Sequence, residues 1–314
     1  MRRFILRRLA FVLITVVLSS MVVFFATNVL PGDVASMVLG REASEEAKES
    51  LREELGLNRP LLVQYGDWLG DLVRGDWGTS LSSGDDVLSL MAQRLRNSAM
   101  LALVAFLMYV PLGILLGVVA AWRRNSPLDQ VISAGSLAFI GLPEFVTAVL
   151  LIAVFSQALG WFPSSSSIAP GTGFVEALPS LILPALTVSL TSLAYVVRMT
   201  RASTAEVLQT DYVRTARLKG LSAGNLIFTH VLRNSLLPTV TVIAVGVGWL
   251  IGGLIVTESV FSYPGLGRLV LYAIQRRDIP LIQATTMIIV LIYAVANLLA
   301  DITYALLNPR IRYQ

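Results

Sequence analysis

Six stretches of this chain are long and apolar enough to cross a lipid bilayer, and they fix its class before any motif is considered. A spanning helix needs roughly 20 mostly apolar residues. Runs of that length lie at about Leu9–Leu30, Ser98–Trp122, Val131–Phe155, Pro179–Met199, Leu237–Thr257 and Leu281–Leu307. Charged residues make up 14% of the chain, where a soluble domain carries roughly a quarter. The expected fold is therefore an all-α polytopic membrane protein with six transmembrane helices. An even number of spans puts both termini on one side.

Orientation follows from Arg and Lys in the connecting segments. One side would carry Arg2, Arg3, Arg7, Arg8, Arg123, Arg124, Arg198, Arg201, Arg214, Arg217, Lys219, Arg233, Arg310 and Arg312. Only Asp129, Glu206 and Asp211 oppose them there. The basic residues of the other side sit mostly in the loop between spans one and two, among its many acids. Both termini, the turn at 123–130 and the segment 200–236 are thus expected in the cytoplasm. The first run is longer than a signal-peptide core of roughly 7–15 residues, so it is expected to stay as a span. The chain then divides into a cytoplasmic start and first span (1–30), an external loop (31–97) and a five-helix core (98–314) that includes the cytoplasmic hairpin 200–236.

Several chemistries are excluded. There is no cysteine, hence neither disulfides nor thiolate metal sites. A single histidine, His230, rules out His-rich metal sites and an HExxH motif. Lys48 and Lys219 are the only lysines, and neither follows a glycine. The Gly-Lys-Ser/Thr element of a phosphate-cradling loop is absent, so ATP is not bound by that route. The chain itself is not expected to be an enzyme.

In the external loop, Glu42–Leu55 reads as an amphipathic helix capped by Ser44 and ended by Gly56. Gly75-Asp-Trp-Gly-Thr-Ser80 reads as a turn, either anchored by Trp77 or used to contact an external partner. Within span three, Gly141-Leu-Pro143 should kink the helix. Glu144 follows at membrane depth, where an ionisable group is a functional candidate; the alternative is a carboxyl paired with backbone or with a partner's Arg. Asn297, Asp301 and Tyr304 place polar groups at helical spacing in span six. Gly113 with Gly117, and Gly248 with Gly252, are small-xxx-small pairs that permit close helix packing.

The segment between spans four and five is a basic island in an apolar chain. Thr204–Lys219 reads as a helix and Gly220–Gly224 as a turn. A second helix runs from Ala223 or Asn225 to Leu236, before Pro238 opens span five. Val207, Leu208, Leu218, Leu221, Leu226, Ile227 and Leu232 are more apolar side chains than a solvated loop needs. An apolar patch rimmed by Arg is a docking surface; the alternative is a hairpin packed on the chain's own cytoplasmic ends. His230 reads as an ordinary hairpin side chain.

Arg214-Thr-Ala216, three residues, Gly220, and then Leu237-Pro238 resemble the EAA loop of ABC-importer permeases. The dipeptide/oligopeptide permease subfamily is the nearest match. Leu30-Pro-Gly-Asp33, Gly75-Asp-Trp-Gly-Thr79, Arg233-Asn-Ser-Leu-Leu-Pro238, Glu258-Ser-Val-Phe261, Pro264-Gly-Leu-Gly267 and Arg277-Asp278 with Pro280 are also similar and follow in order. Arg214 replaces the Glu of the general motif, and the Gly220–Pro238 spacing exceeds that of sugar permeases. Both departures resemble the peptide branch, and they remove any argument that needs a carboxylate at 214.

The resemblance implies a type I ABC-importer permease fold and one half of a translocation pathway for dipeptides, oligopeptides or related small solutes. It implies a second homologous permease subunit, two cytoplasmic ATPase subunits or domains that bind ATP and Mg, an external substrate-binding protein, and no nucleic acid. No cofactor or metal is expected on this chain. The location implied is a bacterial or archaeal cell membrane, the inner membrane in a Gram-negative cell. The implied ATPase-coupling residues are Arg214, Thr215, Ala216, Arg217, Lys219, Gly220, Leu221, Ser222 and Gly224; the candidate pathway residues are Pro143, Glu144 and Glu258. Import of glutathione, opines or nickel complexes shares the family pattern. The alternative class is a stand-alone secondary transporter or channel. Such proteins tend to show inverted repeats and midplane charges, and here there is no convincing repeat and only Glu144 as a deep charge.

Overall fold

The computed structural model describes residues 2–29, 36, 39–40, 42–54, 56–169 and 171–307. The Leu30–Asp33 motif, Arg310 and Arg312 lie outside them. Among the described residues the regular structure is helical, apart from one isolated bridge between Thr79 and Asp86. The helices are α1 (Arg2–Val29), α2 (Glu45–Glu54), α3 (Leu61–Arg74), α4 (Val87–Trp122), α5 (Pro127–Gly141) and α6 (Glu144–Ala158). They continue as α7 (Phe174–Val207), α8 (Asp211–Leu218), α9 (Ala223–Val260), α10 (Leu266–Arg276) and α11 (Ile279–Leu307). Five of them, α1, α4, α7, α9 and α11, are each long and apolar enough to span a bilayer.

The third expected span is different. α5 and α6 pass the same test only together, and they are bent by 113° at their junction. The cause is local. Leu142 precedes a proline and is extended at ψ 128°, and Pro143 stands at the N-cap of α6, where its missing N–H leaves nothing unsatisfied. A kinked span at 131–155 is thus a broken one. The other spans are longer than hydropathy alone marks. α4 starts at Val87, not near Ser98, because Asp86 caps it by accepting from the Ser89 amide at 2.8 Å. α7 reaches eight residues past the expected end at Met199.

α4 and α7 form the centre, and they run parallel. Ser189 Oγ donates to the Ala105 carbonyl at 3.1 Å, Gly113 lies against Val196, and Gly117 against Thr200. A Cβ on Gly117 would stand 2.8 Å from the Val197 carbonyl oxygen and one on Gly113 2.7 Å from Val196 Cγ1, so both positions need glycine for the helices to meet. Gly248 similarly admits Tyr293 of α11, whereas Gly252 faces open space. α1 and α11 pack antiparallel: Gln283 Nε2 donates to Thr27 Oγ1 at 2.8 Å near one end, and Arg8 pairs with Asp301 at 2.6 Å near the other. A Tyr65–Trp68 cluster on α3 packs on Phe24 and Phe25 of α1. α2 begins as expected, with Ser44 Oγ accepting from the Ala47 amide at 3.3 Å.

The irregular segments sort onto two faces. The N-terminal face carries the start of α1, the turn 123–126 and the segment 208–231. The opposite face carries α2, α3, the loop 75–86, the loop 159–173 and α10. Replacing Gly117 with Leu is expected to cost about 1–3 kcal/mol through overpacking against Thr200 and Val197. A lowered unfolding midpoint in detergent would register it, while Gly252→Ala should leave the midpoint in place.

Candidate functional site

The hairpin on the N-terminal face has its own small core. Val213 and Ala216 of α8 pack with Leu226 and Val231 at the start of α9, and Val207 and Leu208 close one side. Burying three such aliphatic side chains contributes about 1.5–3 kcal/mol each. The expected first helix, Thr204–Lys219, is in fact two. α7 ends at Val207, Thr210 Oγ1 turns back to the Val207 carbonyl at 2.6 Å, and α8 restarts at Asp211. The interruption lets α8 fold across to α9 instead of continuing along α7. The second helix does not stop before Pro238. α9 runs unbroken for 38 residues, with a π-helical stretch at Leu226–Val231 and Pro238 inside it.

The turn joins the two helices tightly. Gly220 has φ +77°, a conformation that disfavours side chains, and Ser222 Oγ caps α9 by accepting from the Asn225 amide at 3.4 Å. Arg214, Thr215, Arg217, Lys219, Gly220, Leu221, Ser222 and Gly224 are all exposed. Ala216 is not: it faces the hairpin core. The Arg217 guanidinium lies 5.4 Å from the centroid of the Trp122 ring at the end of α4. Beside these residues, Leu218 is 83% exposed and Phe228 76%. His230 contributes only its carbonyl, which accepts from Tyr212 OH at 3.5 Å.

Other polar contacts hold the ends of the spans. On the N-terminal face, Arg201 of α7 grips Asp129 of α5 with two hydrogen bonds, Nε to Oδ1 at 2.5 Å and a terminal nitrogen to Oδ2 at 2.8 Å. Asp129 is buried and also accepts from the Asn125 amide at 2.9 Å. The sequence reading registered Asp129 only as an acid on a basic face. Its partner lies 72 positions away, and no spacing rule connects them.

Glu258, the third pathway candidate, has a side chain that is fully buried within this chain near the opposite end of α9. Ser98 Oγ donates to Oε1 at 2.5 Å, and the Gly267 and Arg268 amides donate to Oε2 at 2.7 and 3.3 Å. This carboxylate caps α10 and folds the loop between α9 and α10. Gly265 is obligatory there, because a Cβ would run into the carboxylate. Tyr263 OH donates to the Asn97 carbonyl at 2.8 Å, and Asn97 Nδ2 returns to the Pro264 carbonyl at 2.8 Å. The Glu258–Gly267 motifs are therefore one structural unit.

Glu144 stands at the α5–α6 break and points at α9. Thr257 Oγ1 donates to its Oε1, and Gly253 leaves room for the carboxylate, since a Cβ would sit 2.7 Å from Oε2. Pro143, beside it, is exposed. Asp301 pairs with Arg8, and Asn297 reaches Gly248; the side chain of Tyr304 lies outside the described ones. Among the described residues no group of three or more His, Asp or Glu side chains could hold a metal ion.

The Gly75–Ser80 turn docks on its own chain. Asp278 Oδ2 accepts from Ser80 Oγ at 2.6 Å, Ser82 Oγ at 2.8 Å and the Ser82 amide at 3.0 Å. Burial alone would raise the Asp278 carboxyl, but the Ser80 and Ser82 hydrogen bonds outweigh it and hold the group below the ordinary carboxylate range. The folded-state value lies below the unfolded one. This contribution is therefore complete above the ordinary carboxylate range and is lost as pH falls through the folded-state value. At neutral pH, Asp278→Ala is expected to speed amide hydrogen exchange across residues 75–86 by roughly tenfold or more. The difference from the parent protein should shrink as the buffer is taken below the folded-state value.

Comparisons with known proteins place the chain in a family. Residues 113–313 match the family described as binding-protein-dependent transport system inner membrane component, and residues 1–102 match its N-terminal counterpart. A probable peptide ABC transporter permease of Sinorhizobium fredii is 39% identical over 310 residues, 99% of each chain. The dipeptide transport system permease DppB of Alkalihalophilus pseudofirmus is 34% identical over 333 residues, and the glutathione transport system permease GsiC of Escherichia coli is 37% identical over 314, each spanning 100% of both chains. Among solved structures, the crystal structure of an amino acid ABC transporter with histidines matches at TM-score 0.48 and 20% identity, covering 71% of this chain and 94% of that one. The chain belongs to the family of binding-protein-dependent transport system inner membrane components, as a multi-pass permease subunit of ABC importers.

Proposed function

We propose that the chain is a membrane permease subunit of an ATP-driven importer of dipeptides, oligopeptides or a related small solute. The single observation that supports this best is the hairpin: a folded, Arg-rimmed surface with Leu218, Leu221 and Phe228 outermost, built on a helix that runs without a joint into the membrane. The names of the full-length relatives support the peptide class. The N-terminal face is then cytoplasmic, with Arg214–Gly224 seated in a groove of an ATPase subunit. ATP and Mg belong to that partner; no phosphate-cradling motif exists on this chain. A second homologous permease completes the pathway, and an external binding protein delivers substrate to the opposite face.

Coupling is mechanical. The hairpin core ties α8 to the root of α9, and 38 residues at 1.5 Å each carry a displacement about 57 Å along α9. Residues Glu144 and Pro143 lie where α9 meets the α5–α6 break, and we assign them to the pathway. Glu258, the remaining candidate of that set, holds the start of α10 through the Gly267 and Arg268 amides.

Leu218→Asp is the sharpest test, because the side chain supports no core of its own. Insertion and the unfolding midpoint should be unchanged, while ATPase copurification and ATP-dependent peptide uptake in proteoliposomes should fall by roughly tenfold or more, as when an apolar anchor is lost from an interface. Uptake that persists at the parent rate, or that ignores ATP depletion, would return the stand-alone transporter reading.

A further inference from the structure

A cavity of about 280 Å³, mostly apolar but with charged side chains in its lining, opens on the face opposite the hairpin, where α4, α10 and the start of α11 meet the loop 83–85. Its lining carries three charges. Arg94 of α4 and Arg268 of α10 are close enough to repel one another. Among the described residues, Arg94 feels Arg268 and Glu258 electrostatically but makes no side-chain hydrogen bond or ion pair. Arg268 donates a single side-chain hydrogen bond, to the Ser262 carbonyl. Asp85 supplies an exposed carboxylate in the same lining but lies beyond ion-pair distance of both. Glu258 is near Arg94, but its oxygens already accept from Ser98 and two α10 amides. Leu90, Leu269 and Leu281 form the apolar part, and Tyr272 adds a hydroxyl.

Two guanidiniums that line one cavity, neither of them in an ion pair among the described residues, form a site for a carboxylate, since an anion between them relieves their repulsion and takes up their planar donors. One carboxylate opposite them, with an apolar wall between, is the complement of a zwitterion that carries a side chain. We propose that this cavity receives a short zwitterionic peptide on the outer face. Its terminal carboxylate lies on Arg94 and Arg268, its ammonium on Asp85, and its side chain against Leu90 and Leu269. The inference rests on the peptide-import reading and adds to it a subsite on this chain that recognises the two peptide termini.

The test uses the intact membrane complex, copurified through this chain and held in nanodiscs without ATP or binding protein. Saturation-transfer NMR is run with the dipeptide Ala-Phe, its C-terminal amide and its N-acetyl form. Ala-Phe should bind, and blocking either terminus should weaken it by roughly tenfold or more, as expected for loss of a charge-assisted contact. Arg94→Gln, Arg268→Gln and Asp85→Asn should each do the same to the parent dipeptide, with Asp85→Asn erasing the penalty for N-acetylation. The ligand series does not depend on any variant folding. Equal binding of all three ligands, or no binding, overturns the subsite. ATP-driven uptake of Ala-Phe by the unaltered complex, supplied with its binding protein, separates the two readings. Uptake with no terminal preference in the binding assay sinks the subsite alone, whereas absent uptake with a retained preference sinks the peptide-import reading and leaves a zwitterion site.

Discussion

A chain in hydrocarbon must satisfy every backbone amide, and this protein does so with uninterrupted helices wherever it can. At the reversals, buried carboxylates take over. Asp129 accepts the Asn125 amide in the turn between α4 and α5. Asp278 accepts the Ser82 and Leu281 amides where the loop 75–86 meets α11. Glu258 accepts the Gly267 and Arg268 amides at the start of α10. In each place the acid satisfies N–H groups near a helix N-terminus that would otherwise be orphaned. The same acids clamp distant parts of the chain: Asp129 to Arg201, Asp278 to Ser80, and Glu258 to Ser98.

Glu144 differs from these three. It follows the one broken span among the described residues, and it is held by a threonine hydroxyl rather than by backbone amides. A carboxylate that closes no turn, set against a glycine on the longest helix, is free of the structural duty that accounts for the others. α9 links the regions: its root forms half of the hairpin core, its middle approaches Glu144 through Gly253 and Thr257, and its end carries Glu258. With Pro238 contained inside the helix instead of hinging it, α9 joins the two faces as one rod.

Much of this was legible in the residues. Hydropathy located all the spanning segments, the Gly220–Gly224 turn fell where φ +77° demands glycine, and Ser44 capped the helix it preceded. Gly113 and Gly117 proved to be contact positions for the neighbouring helix. The errors share one origin. Apolarity marks where lipid ends, not where a helix ends, so α4 and α7 overran their expected limits under the control of capping groups and partners. A Gly-Leu-Pro sequence announces a break but not its angle, because 113° is set by what α6 packs against, namely α7 and α9.

The sequence alone determined the class, the number of apolar crossings, the sidedness of charge and the position of the Gly220–Gly224 turn. These depend on composition and local conformation, which each segment carries with it. Only the tertiary structure decided which acids are structural, that the hairpin turns its Ala216 inward and its Leu218 outward, and that Arg94 and Arg268 share a cavity. Those facts depend on which surfaces meet across tens to hundreds of intervening residues, and in a membrane helix both faces are apolar. Periodicity therefore cannot say which face meets a neighbour, and the polar contacts between helices decide it.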